Sequence, residues 1–193
     1  SVSCIYGLGL KEAYEDAIIT FQKDKKLDER EFLSQLVSNY YERTDFTPEP
    51  GTFRVRGDTV EIFPAYEDET CIRVTFFDDL IERIDITHPL TGRVIETVNE
   101  VSIFPAKHYV TQNDAIQKAI PEIKQELEKI ENDFKSNGKL VEAQRIRMRT
   151  LYDIEMLNEA GYCSGIENYS VYLDGRNHGE PPGTLIDFFP DDY

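Results

Sequence analysis

Two periods of apolar and polar positions alternate along the chain, and the points where they change divide it. Over residues 11–43 charged and apolar groups recur at helical spacing. Ala13, Ala17 and Phe21 fall on one face of an expected first helix, which the run Lys23-Asp24-Lys25-Lys26 interrupts. Asp28 with Glu31 three residues on is a capping-box pattern. Phe32, Leu36 and Tyr40 then give a second helix its apolar stripe. Thr47-Pro48-Glu49-Pro50-Gly51 closes this segment with a loop.

From residue 52 to 104 the period drops to two. Phe53 and Val55 point one way, Arg54 and Arg56 the other. Gly57-Asp58 turns the chain, and Val60 and Ile62 alternate with Thr59 and Glu61, so the segment reads as a hairpin with one buried and one wet face. A second hairpin has Ile72, Val74 and Phe76 inward, Asp78-Asp79 at the turn, and Ile84 and Ile86 inward. After the turn His88-Pro89-Leu90-Thr91-Gly92, shorter strands are expected at 94–97 and 101–104. These strands predict a small twisted antiparallel sheet packed with the preceding helices.

Helical period returns over 111–160. Thr111 and Asp114 have capping-box spacing. Ile116, Ile120, Ile123, Leu127, Ile130 and Phe134 form a seam at steps of four and three. Pro121 lies within it and predicts a kink, or a fresh helix start with the proline in its first turn. Ser136-Asn137-Gly138 breaks the helix, residues 140–160 supply an antiparallel partner, and Gly161 fits a left-handed cap. Residues 161–193, rich in Gly, Pro, Tyr and Asn, are expected to drape irregularly over a packed body. The fold class is therefore α+β: a small sheet with helices, a long helical hairpin, and an irregular tail.

Charge narrows the function. The 193 residues carry a formal net charge of -16. Residues 1–105 hold 11 basic and 21 acidic groups, net -10, and residues 106–193 hold 10 and 16, net -6. Nucleic-acid affinity comes mainly from Lys and Arg displacing counterions, so the isolated chain is expected to bind DNA weakly. No apolar run approaches the roughly 20 residues that cross a bilayer. The first residues, Ser1-Val2-Ser3-Cys4-Ile5-Tyr6, are apolar at once and the last stop without a polar tail, so both ends are expected to be cut from a longer chain.

Cys4, Cys71 and Cys163 are odd in number and widely spaced, and form no C-x-x-C. A disulfide framework or zinc site is not expected, and a reducing, cytoplasmic setting is. His88, His108 and His178 lie in no H-E-x-x-H pattern. Carboxylates such as Asp153, Glu155 and Glu167 have no evident partner for acid–base work, and no glycine-rich loop followed by Lys is present to cradle phosphates. Nothing here points to catalysis.

Several segments carry a specific likeness. Val2-Ser3-Cys4-Ile5-Tyr6-Gly7-Leu8-Gly9, Gly51-Thr52-Phe53-Arg54-Val55-Arg56-Gly57-Asp58 and Val60-Glu61-Ile62-Phe63-Pro64-Ala65 come in that order. Phe104-Pro105-Ala106-Lys107-His108, the stretch Tyr162-Cys163-Ser164-Gly165-Ile166-Glu167-Asn168-Tyr169-Ser170, Gly179-Glu180-Pro181-Pro182 and Phe189-Pro190-Asp191-Asp192 follow. Together they resemble UvrB, the helicase-like family of bacterial nucleotide excision repair. A transcription–repair coupling factor has a UvrA-binding module similar to residues 45–104 but lacks the Tyr162–Ser170 signature. The resemblance implies that residues 1–14 end a helicase-like segment, 15–105 form a UvrA-interaction domain, and 106–193 return to the helicase-like domain. It also implies that the family's ATP- and magnesium-binding motifs fall before Ser1 and after Tyr193, with its damage-probing hairpin upstream. ATP and Mg are thus expected in a full-length parent, an excinuclease subunit of the SOS response, and no cofactor or catalysis in this chain.

The resemblance further implies two sets of site residues. Arg43, Arg54, Arg56 and Arg73 are expected to dock UvrA, since an arginine fork matches a carboxylate bidentately. The alternative is a solvated strand face on which the arginines pair with Glu61 or Asp85. Lys107, Tyr109, Tyr162, Glu167 and Asn168 are expected to contact damaged DNA in the parent, the aromatics by base stacking near a flipped nucleotide. Ordinary packing is the alternative for the tyrosines. Two positions depart from the family pattern: Thr75 stands where relatives often carry an acid, and Val171-Tyr172 where they often carry Arg-His.

Overall fold

The computed structural model describes residues 8–111 and 113–190. Cys4, the Val2–Gly7 part of the first signature, and Asp191 and Asp192 lie outside the described residues. The chain divides into two compact units: Tyr14–His108, and Tyr109 onward joined by the N-terminal residues through Ala13. No described helix is long and apolar enough to cross a membrane.

The α+β expectation holds. The short helix α1 (Lys11–Asp16), whose last residues open the first unit, gives way to a strand, β1 (Ile19–Gln22). Phe21 therefore lies on a strand and not on the expected helix. Ile18, Ile19, Thr20 and Phe21 form a run of β-branched and aromatic side chains, and their strand preference outweighs an apparent helical spacing. Helix α2 (Glu29–Ser38) starts where Asp28 Oδ1 accepts from the Glu31 N–H at 3.0 Å, as the pattern predicted. Its end differs. Tyr40 adopts φ 64°, and the Tyr41 N–H reaches back to the Leu36 carbonyl at 3.0 Å, closing a Schellman-type turn. That extra step makes Tyr41, not Tyr40, the buried tyrosine, with its hydroxyl donating to the Phe104 carbonyl.

Six strands follow: β2 (Glu42–Arg43), β3 (Thr52–Arg56), β4 (Thr59–Phe63), β5 (Cys71–Phe77), β6 (Leu80–Thr87) and β7 (Val94–Val98), paired in that order. The sheet is mixed rather than purely antiparallel, because β2 runs parallel to β3. Loop 44–51, stiffened by Pro48 and Pro50, carries the chain back so that it re-enters in the same direction. The last strand, β8 (Glu100–Ile103), leaves this sheet and pairs antiparallel with β1.

One face of the six-stranded sheet is dry. Phe53, Val60, Ile62, Ile72, Val74, Phe76, Ile81 and Ile84 pack there with Phe32 and Leu36 of α2 and with Phe21. Phe32 is the hub, edge-on to Phe21 at 4.9 Å and tilted against Phe76 at 5.4 Å. The inward alternation read from the sequence is the one observed, except that a bulge at Thr75/Phe76 brings Ile81 opposite Phe76.

In the second unit, α3 (Asn113–Ser136) and α4 (Leu140–Ala160) form the helical hairpin. Pro121 sits inside α3, and no new helix starts there. Gly161 ends α4 at φ 65°, its N–H bonded to the Leu157 carbonyl at 3.1 Å. Ile116, Ile120, Ile123 and Leu127 of the seam are buried. The tail does more than drape. A single 3-10 turn (Ile166–Tyr169) and the short α5 (Ser170–Leu173) place Cys163, Ile166 and Leu173 in the same core as Tyr109, Ile154 and Leu157. Three apolar side chains among polar neighbours were too sparse for a periodicity to show.

Candidate docking face

The face of the sheet opposite α2 is polar, and its register is decisive. Pairing places Arg54 of β3 opposite Glu61 of β4, Glu61 opposite Arg73 of β5, Arg73 opposite Asp85 of β6, and Asp85 opposite Thr97 of β7. Cross-strand neighbours on one face are within reach of each other, so a row of alternating charge runs across four strands and ends on Thr97 of the fifth. A second row, Arg56, Thr59, Thr75 and Arg83, lies beside it.

The first row is closely bonded. Arg54 donates to Glu61 Oε2 from Nε at 3.0 Å and from Nη2 at 2.6 Å. Arg73 donates to Oε1 from Nε at 3.3 Å and Nη2 at 2.9 Å, and its Nη1 reaches the Gly92 carbonyl at 3.4 Å. Side-chain exposure is 13% for Arg54, 10% for Glu61 and 25% for Arg73, so all three are largely withdrawn from water. Burial pushes the Glu61 carboxyl up, but the hydrogen bonds and charges of Arg54 and Arg73 outweigh it and hold the group below its ordinary range. Asp85 Oδ1 accepts from Arg83 Nε at 2.8 Å and from the Thr97 hydroxyl at 2.6 Å. Arg83 was not singled out from the sequence; its alternation with Asp85 along one strand was the available signal.

The four arginines therefore differ in availability. All three guanidinium nitrogens of Arg73 are engaged, Nε and Nη2 by Glu61 and Nη1 by the Gly92 carbonyl of the turn before β7. Arg54 keeps Nη1 unbonded among the described residues, and its guanidinium also lies 5.8 Å from the Phe63 ring centroid. Arg56 is exposed and makes no ion pair among the described residues. Arg43, on β2, is exposed and sits 3.9 Å from Asp45. Internal pairing with Glu61, weighed above as an alternative, is what the structure shows for Arg54 and Arg73. Thr75 lies between Thr59 and Arg83, so the second row contains no carboxylate and remains positive. Counting both rows, four arginines face two carboxylates, net +2 on a chain of net -16.

The second group of site residues is scattered. Lys107 belongs to the first unit, with Nζ 5.5 Å from the Tyr40 ring centroid. Tyr109 is a core residue of the second unit, 3% exposed, with its hydroxyl donating to Asp174 Oδ1 at 2.9 Å. Burial, then the neighbouring Asp174 charge, pushes that phenol far above its ordinary range, so it acts as a neutral donor. Packing, not an open stacking platform, is what this ring provides here. Tyr162 is half-buried against the second core, Glu167 is half-buried, and Asn168 is exposed and donates to the Gly165 carbonyl at 2.9 Å. Asn168 also borders a cleft of about 350 Å³ with Arg145, Arg149, Asp153 and Tyr169. Asp153 is buried and accepts from the Tyr169 hydroxyl at 2.8 Å. Cys71 and Cys163 are buried thiols, pushed up to about 11 and about 12 by desolvation, which makes both poor nucleophiles. Among the described residues no group of three His, Cys, Asp or Glu side chains is placed to hold a metal.

Comparison with known proteins agrees with this division. The family described as UvrB interaction domain matches residues 19–109, and UvrB third helical domain matches residues 114–175. Over all 193 residues the chain is 50% identical to the UvrABC system protein B of Lactococcus lactis, with 51% and 52% for those of Streptococcus suis and Corynebacterium diphtheriae. The match takes in 28–29% of the length of these relatives.

Proposed function

Since the chain belongs to the UvrB family, we propose that its first unit is a docking platform for UvrA in nucleotide excision repair. The observation that carries this reading is the pair of charged rows on the face opposite α2. Its register fixes four arginines on an acidic chain, and the family description of the same residues is an interaction domain. Glu61 acts from within. By holding Arg54 and Arg73 it orients the row before a partner arrives, which lowers the entropy lost on binding. Arg56, Arg83, Arg43 and the outer nitrogen of Arg54 are then the donors that meet partner carboxylates, bidentately where the fork allows.

The chain acts by recognition rather than catalysis in this reading. ATP and Mg belong to a full-length parent in the cytoplasm, where the second unit contributes to contact with damaged DNA. Tyr162, Glu167 and Asn168 are the side chains for that role, because they are partly or fully exposed, and Asn168 borders the cleft bearing Arg145 and Arg149. Lys107 is a further candidate for a phosphate.

Binding to purified UvrA tests the docking reading. The wild-type chain is expected to bind with an affinity that falls as salt rises, and Arg56→Ala to weaken binding while leaving the fold intact. Equal binding by a folded Arg54→Ala/Arg56→Ala variant would remove the arginine rows from the interface. Tight binding of a damaged duplex by the isolated chain would favour DNA contact instead.

A further inference from the structure

We propose that a cleft beside the arginine rows receives a lysine- or arginine-bearing apolar segment of the protein that docks there. The inference rests on the docking reading above and adds the chemistry of the partner surface. The cleft, about 630 Å³, opens at the ends of β4, β5 and β6 away from the two hairpin turns. Pro48, Pro50, Phe63, Pro89, Leu90 and Ile95 supply its apolar lining. Leu90 is 85% and Ile95 54% exposed, so two large side chains stand in water at its mouth. Exposed apolar groups around a concavity mark a place where a partner side chain is desolvated.

Charge selects the occupant. Glu49, Glu67, Asp68 and Glu69 also line the cleft, and among the described residues no Lys or Arg does. None of these four carboxylates makes an ion pair among the described residues. Four like charges around one concavity repel each other and attract a cation. A Lys or Arg side chain suits both features, because its aliphatic stem covers Leu90 and Ile95 while its head reaches the rim. The rim repels phosphate, so DNA does not fit. A second copy of the chain, net -16, is repelled overall.

The cleft is preformed and continuous with the rows. His88 Nδ1 accepts from the N–H groups of Leu90 at 3.2 Å and Thr91 at 3.4 Å, and the His88 N–H bonds to the Arg93 carbonyl at 2.9 Å. The loop that carries Leu90 is therefore held in shape. Phe63 lines the cleft and lies against the Arg54 guanidinium, while Arg73 Nη1 bonds to Gly92 of the same loop. A partner lying over the rows reaches the cleft without a gap. It presents acidic side chains to the arginines and a basic, apolar projection to the cleft, and this opposite polarity fixes the register of docking.

The test is titration calorimetry with purified UvrA at moderate salt, using the wild-type chain, Asp68→Lys/Glu69→Lys, Leu90→Ser and Arg56→Ala, each checked for folding by circular dichroism. The charge reversal is expected to weaken binding tenfold or more, and Leu90→Ser severalfold. If the wild type binds, Arg56→Ala weakens it and both cleft variants bind as the wild type does, this inference is overturned and the docking reading stands. If the wild type does not bind, both fall. Sedimentation run in parallel covers a second copy: self-association abolished by the cleft variants would assign the cleft to another chain and overturn the proposal.

Discussion

Arg54 and Arg73 bind opposite oxygens of one carboxylate, Glu61, from the two strands that flank it. This separates residues that hold the face together from residues available to a partner. Arg73 has no spare nitrogen, so Arg73→Ala is expected to act mainly on stability. Removing one partner of a buried pair typically costs roughly 3–5 kcal/mol, and the remaining Arg54 and partial exposure reduce this to about 2 kcal/mol. Arg56→Ala is expected to change stability by no more than about 0.5 kcal/mol. Urea denaturation of the two variants, set beside their UvrA affinities, checks the separation. Equal stability losses would contradict it.

The same carboxylate predicts a pH dependence. Glu61 has a folded pKa below its ordinary value of 4.5, because the two arginines outweigh the effect of burial. Its contribution is therefore fully present above 4.5 and is lost as pH falls through the lower folded value. Glu61→Gln is expected to be markedly less stable than the wild type at neutral pH, and the gap to narrow below 4.5. Urea midpoints measured across the acid range decide it. A gap independent of pH would mean that the arginines do not recognise the charged form.

Much of the scaffold was readable because its periods are strong. The inward residues of both hairpins, the Asp28 cap, the α3–α4 hairpin and the Gly161 cap all follow from local rules of spacing and turn chemistry. Three features did not. The strand at Ile19–Gln22 finds its partner, Glu100–Ile103, about 80 residues away, and a window on the sequence does not contain that pairing. The left-handed turn at Tyr40 shifted the buried tyrosine by one position. The parallel β2–β3 edge is set by the path of a loop and not by any pattern within the strands. For the site, the common face of Arg54 and Arg56 followed from alternation. That Glu61 holds Arg54 and Arg73 together required the cross-strand register, and the cleft joins Glu49 of one loop to the run Glu67-Asp68-Glu69 of another.

Gly161 tests the hairpin. At φ 65° it closes α4, and any L side chain there meets the left-handed penalty of roughly 1–2 kcal/mol. Gly161→Ala is expected to lower stability by about 1 kcal/mol, and Gly161→Asn by less, since Asn tolerates this region. Thermal unfolding of the pair measures it. A variant as stable as the wild type would show that the helix end relaxes into another turn.

Tyr109 discriminates between packing and base stacking, because a phenylalanine in its place retains the ring and loses only the hydroxyl. The ring is buried against the second core, and the hydroxyl donates to Asp174 Oδ1, while Arg176 Nε approaches Oδ2 of the same carboxylate at 3.3 Å. Burial lifts the Asp174 carboxyl above its usual range even though Tyr109 and Arg176 both favour its charge. Deleting a donor there leaves a half-buried acceptor less satisfied, at about 1–2 kcal/mol. Tyr109→Ala also empties an aromatic site, at roughly 3–5 kcal/mol. A stacking platform predicts a different result for the first variant, since phenylalanine stacks as well as tyrosine and Tyr109→Phe would then leave stability unchanged. Urea denaturation of Tyr109→Phe and Tyr109→Ala in this chain is the deciding measurement. A stable Tyr109→Phe variant would free the ring for another role, and a destabilised one fixes it as the residue that ties the start of the second unit to its tail.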